Sequence, residues 1–111
     1  MFDEGVLLNL LGGDREAAAE VTAEYRADAP RQVAALRMAL AAGNAALARR
    51  QAHTLKGASA NVGAEAVRAV AHAVELAAAE GELERAGALQ AELALQLDRL
   101  EVALADRVGD S

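Results

Sequence analysis

Two residues that could do chemistry stand three apart, His53 and Lys56, in the run His53-Thr54-Leu55-Lys56-Gly57-Ala58-Ser59-Ala60-Asn61, with Arg49 and Arg50 one turn before the histidine. The chain has no other lysine. At about 100° per residue, a helix here gathers Ala46, Arg49, Arg50, Lys56, Gly57 and Ala60 on the side of His53. It turns Leu47, Leu55, Ala58 and Val62 away. Those apolar residues claim the core, so His53 faces solvent. Imidazole is a competent nucleophile near neutral pH, because its ordinary pKa of about 6.5 leaves a ring nitrogen free to attack. Cationic side chains therefore converge around one nucleophilic nitrogen.

Gly57 has a different bearing on the same face. One turn from His53, any side chain would stand between the imidazole and an approaching partner. Glycine inside a helix costs about 1 kcal/mol relative to alanine, and this chain uses alanine freely. Steric clearance explains the choice.

The elements that must position this face are helices. At 111 residues the chain is one domain, and its 54% hydrophobic content, rich in alanine with 2% aromatics and one proline, points to an all-α fold. Met1 to Leu11 reads as a short helix that closes one end of a bundle and stops at Gly12-Gly13. Asp14 suits the N-cap of a long helix to about Ala42, with the stripe Val21, Tyr25, Val33, Leu36 and Leu40. Pro30 is read as a kink within that helix; the other reading places it in the first turn of a second helix, with the same continuous stripe. Gly43-Asn44 ends it and caps the helix of His53, which runs to about Asn61 before a break at Gly63. A fourth helix from Ala64 to Ala79 presents Val67, Val70, Ala71, Val74 and Ala78, and Gly81 ends it. The last, from Glu82 to Arg107, carries Ala86, Leu89, Leu93, Leu97, Leu100 and Leu104, with Val108 to Ser111 as a frayed tail. Connections this short force antiparallel neighbours, so the expected architecture is an up-down-up-down antiparallel four-helix bundle with a short extra N-terminal helix.

Composition removes several classes of function. Without cysteine there are no disulfides and no thiolate metal sites, which fits a reducing compartment. A net charge of −6 with one Tyr and one Phe argues against general nucleic-acid binding. The apolar stretch Val6 to Leu11 is broken by Asn9 and preceded by Asp3 and Glu4, unlike a signal peptide or a membrane span. The expected location is the cytoplasm, with no membrane association.

The run from His53 resembles the motif of the histidine-containing phosphotransfer (HPt) domains of bacterial multistep phosphorelays. Its members are His53, apolar Leu55, Lys56, Gly57, the small Ala58 and Ser59, then Asn61 and Gly63. The Val74-Glu75 pair and Gly81 also sit where those domains have a hydrophobic-acidic pair and a loop. The likeness covers the helical organisation of most of the chain and is motif-specific from His53 to Gly63. It implies that His53 accepts a phosphoryl group from a receiver-domain aspartyl phosphate and passes it to another receiver aspartate. Phosphoryl transfer spreads charge over three equatorial oxygens, and Lys56 with Arg49 or Arg50 would supply the cations it needs. The resemblance further implies that Glu75 hydrogen-bonds the unreactive imidazole nitrogen and so fixes the tautomer. His72, one turn before Glu75, is similar to a second histidine in the phosphotransfer domains of chemotaxis kinases. Ser59 points about 120° from His53 and is given a packing or helix-end role.

The implied partners are receiver domains of response regulators or hybrid kinases, met by a monomer that holds no cofactor and no metal. Magnesium belongs to the receiver. Histidine-kinase dimerisation domains have an acidic residue directly after the histidine and a proline shortly beyond, where this chain has Thr54 and Ala58. It also lacks a glycine-rich nucleotide loop, so the expectation is a phosphocarrier without autokinase activity. A bundle metal enzyme needs Glu-x-x-His pairs, and neither histidine follows a Glu at that spacing. The alternative reading is a non-catalytic helical docking module whose basic patch binds an acidic partner.

Overall fold

The computed structural model describes the backbone of residues 2–109 and the side chains of residues 2–105. Five helices account for the described chain: α1 (Glu4–Leu10), α2 (Arg15–Ala41), α3 (Ala45–Asn61), α4 (Glu65–Ala79) and α5 (Leu83–Gly109). The last four pack as antiparallel neighbours in ring order, with α3 against α4, α4 against α5, α2 against α3 and α2 against α5. The molecule is 43 Å long, close to the roughly 40 Å that a 27-residue helix spans.

Local chemistry sets the helix starts. The side chains of Asp3, Asp14 and Asn44 accept from the backbone N–H of Gly5, Ala17 and Leu47 at 2.9, 3.0 and 3.1 Å, satisfying donors that a helix leaves unpaired at its first turn. α2 passes through Pro30 without a break, which settles the choice between one long helix and two. The first helix is shorter than the sequence suggests. Asp3 caps it, leaving Phe2 extended and paired across to Ala64. At the other end α5 continues through Gly109, past the expected stop at Arg107; of the tail expected from Val108, residues 110–111 lie outside those described.

The core is built from small side chains. Leu36, Leu55 and Leu93 are its fully buried large members, and between them lie Ala29, Ala39, Ala48, Ala52, Ala71, Ala77, Ala78 and Ala86. Alanine at these positions lets backbones approach closely but buries little area per residue, so cohesion is spread over many small contacts. The predicted stripes fall inward, with Leu97, Leu100 and Leu104 buried along α5. Gln90, on the same helix, is also buried. No helix of the described residues is long and apolar enough to cross a membrane.

Candidate functional site

α3 is fixed from behind. Ala48, Ala52, Leu55 and Ser59 are buried on its inner face, and the Ser59 hydroxyl pairs with the Tyr25 hydroxyl at 2.8 Å, tying α3 to α2 inside the bundle. Tyr25 and Ser59 thus give each other the polar partner that buried hydroxyls need. Burial raises the Tyr25 phenol above its ordinary pKa, offset in part by the Ser59 hydrogen bond. Locked in this way, the helix presents His53 outward with 66% of its side chain exposed.

α4 supplies the carboxylate. Val67, Ala71, Val74 and Ala78 bury its inner face, which leaves Glu75 at the seam with α3, only 16% exposed. Glu75 Oε2 lies 2.8 Å from His53 Nδ1. The other oxygen, Oε1, is buried and meets Lys56 Nζ at 2.7 Å in an ion pair. His72 Nδ1 stands 3.8 Å from the same oxygen. Burial pushes the Glu75 carboxyl up, but hydrogen bonding and charge from Lys56 and His53 outweigh it and hold the group below the usual carboxylate range. Glu75 is therefore anionic near neutrality and can only accept, so the Nδ1 it faces carries the hydrogen, and in the neutral ring Nε2 holds the lone pair.

Beside the imidazole, an open recess of about 390 Å³ is lined by Ala46, Arg49, Arg50, His53 and Glu75. Arg49 and Arg50 are exposed and form no ion pair among the described residues. Gly57 is exposed on the same face, and a Cβ placed there would meet nothing within 4 Å; internal packing does not demand glycine at this position. Ala60, one turn on, is half-buried.

A model of the Hpt domain family matches residues 20–103. The chain belongs to the Hpt domain family. Its structure is similar to the crystal structure of histidine-containing phosphotransfer protein B from Pseudomonas aeruginosa PAO1, with a TM-score of 0.89 and 26% identity over 99% of this chain and 96% of that one. Comparison with curated proteins finds no match. The Hpt match makes the chain a histidine phosphotransfer protein of phosphorelays, and the all-α bundle with its extra N-terminal helix is that fold.

Within this Hpt domain, the structure brings His53, Lys56 and Glu75 into contact and places Arg49 and Arg50 beside them. Lys56, which the sequence assigns to incoming phosphoryl charge, pairs its ammonium with Glu75. Glu75 is no solvated surface acid. The approach of His72 to the carboxylate had one sequence signal, its place three residues before Glu75 on one helix.

Proposed function

We propose that His53 carries the phosphoryl group in an Asp-to-His-to-Asp relay between receiver domains. The observation that carries this reading is the pairing of a mostly exposed imidazole with a mostly buried carboxylate through Nδ1. In-line transfer breaks the P–O bond to the receiver aspartate, which leaves as a carboxylate, and forms a P–N bond at His53 Nε2. The Nδ1 proton stays between the ring and Glu75, so positive charge developing on the imidazole faces a fixed negative partner. Return transfer to a second receiver reverses the same step. Exposed Arg49 and Arg50 complement an acidic receiver site and face the region where the phosphoryl oxygens gather charge.

This reading makes the protein a carrier in the cytoplasm, monomeric, with no cofactor of its own; magnesium comes with the receiver. The test offers it a phosphorylated receiver domain with magnesium and maps acid-labile, alkali-stable phosphate, with His53→Gln as control. Phosphate on His53 and none on the variant is the expected result. Uptake by His53→Gln overturns the assignment to His53, and no uptake by the native protein from several receivers favours a docking module.

A further inference from the structure

The cations around His53 divide into two groups that do not share a target. Lys56 Nζ lies on Glu75 Oε1, on the α4 side of the imidazole, with its side chain only 24% exposed. Oε1 is a buried oxygen, and an anionic oxygen so placed needs a nearby cation to offset its lost hydration. Arg49 and Arg50 instead line the open recess next to His53, and Lys56 is absent from that lining. Neither arginine forms an ion pair among the described residues, although Glu75 lines the same recess.

We infer that Lys56 is a positioning residue that acts through Glu75, and that the phosphoryl oxygens on His53 are met by Arg49 and Arg50. The inference rests on the relay reading above for its phosphoryl step. By holding Oε1, Lys56 turns the second oxygen of the same carboxylate toward His53 Nδ1, where it accepts at 2.8 Å. One short chain of charge then fixes the ring: ammonium, carboxylate, Nδ1–H, with Nε2 left pointing to the partner. A lysine that left Glu75 to meet phosphate would leave buried Oε1 with His72 Nδ1, at 3.8 Å, as its remaining neighbour and loosen the ring at the moment transfer needs it oriented. The arginines carry no such duty, and a guanidinium offers forked donors that match phosphoryl oxygens.

The experiment compares Lys56→Met, Glu75→Gln, the double variant and Arg49→Ala/Arg50→Ala, each checked for an unchanged helical signal. The tautomer of neutral His53 is read from ¹⁵N ring resonances, and transfer from a phosphorylated receiver from its maximal rate and half-saturating concentration. Lys56→Met lowers the Nδ1–H share in the resting protein and cuts the maximal rate on the order of tenfold, but adds little once Glu75 is Gln. The arginine variant leaves the tautomer alone, shifts the ³¹P titration of phosphorylated His53, and weakens transfer equally in either Glu75 background. An unchanged tautomer in Lys56→Met, or a rate loss that persists in full beside Glu75→Gln, overturns the inference and returns Lys56 to the phosphoryl group. Failure of native His53 to take phosphate overturns the relay reading instead, while the tautomer measurement, which needs no partner, still judges the link from Lys56 to Glu75.

Discussion

Glu75 on α4 holds His53 on α3 at 2.8 Å through Nδ1, and so joins the two helices at the point where the reactive nitrogen is presented. The carboxylate belongs both to the chemistry and to the fold, because its charge is stabilised only when the helices are packed. A group whose folded pKa is depressed contributes stability that is present above its unfolded pKa and lost as pH falls through the folded value.

Glu75 is held low after burial is outweighed by Lys56 and His53, and Glu101 is held low first by its hydrogen bonds to Arg26. The protein therefore loses stability on acidification, beginning near the unfolded glutamate pKa of about 4.3. Glu75→Gln, which carries no proton to exchange, gives a shallower loss between about pH 5 and pH 3. Urea midpoints across that range check it; parallel curves for the native and variant proteins would assign the acid sensitivity elsewhere. The half-exposed Arg26–Glu101 pair contributes less per ion pair, since solvent screens it.

Gly57 lies inside α3 with open space where a side chain would stand, and Gly87 lies inside α5 in the same condition. Alanine at either position raises stability by about 0.5–1 kcal/mol, through the helix propensity glycine forgoes. The two differ in function. Gly57→Ala, and more strongly Gly57→Leu, slows phosphoryl transfer from a receiver, by roughly tenfold to a hundredfold for the larger side chain, while Gly87→Ala leaves it unchanged. Thermal midpoints beside transfer rates test this, and a Gly57→Leu protein that transfers at the native rate would remove the clearance argument.

The helices and the reactive face were readable because period and capping are local properties. Asp14 and Asn44 precede apolar stripes and cap the helices that follow, and His53 falls opposite Leu55 on any helical count. What could not be read was which cation meets which anion. Lys56 and the two arginines all share the His53 face on a helical wheel; only the seam between α3 and α4 decides that Lys56 reaches Glu75 and the arginines do not. The Tyr25–Ser59 pair was hidden for the same reason, being a contact between side chains 34 residues apart. The extended Phe2 is not legible in the sequence, because its partner is a backbone bridge to Ala64, which leaves no mark in residue type.

Tyr25→Phe removes the hydroxyl that pairs with Ser59 in the interior and costs about 1 kcal/mol at neutral pH. It also changes the response to alkali. Burial raises the Tyr25 pKa in the folded state, so the unfolded chain ionises first and stability falls as pH rises past about 10. Tyr25 is the only tyrosine in the chain, which lets tyrosinate absorbance follow it directly. Denaturant curves at pH 7 and above pH 10 should show the native protein losing stability that Tyr25→Phe retains; an equal loss in both would detach alkaline sensitivity from this residue.

Gly63 is the position least open to change, for two independent reasons. Its φ of +74° is a conformation that side chains disfavour, and an added Cβ would collide with the carbonyl oxygen of Asp3. The contact exists because the N-terminal segment lies across the turn between α3 and α4, where the Asp3 N–H donates to the Gly63 carbonyl at 2.9 Å and Phe2 pairs with Ala64. Gly63→Ala must either move the backbone of Asp3 or leave the left-handed region, at a cost of about 1–3 kcal/mol. The N-terminal segment can give way while α3 and α4 stay packed through Leu55, Val67 and Val74. The expected variant is thus folded but less stable, with hydrogen exchange raised at Asp3 and along α1, and His53 still able to take phosphate. Exchange that stays native at Asp3 would show that the turn, and not the segment laid over it, absorbs the side chain.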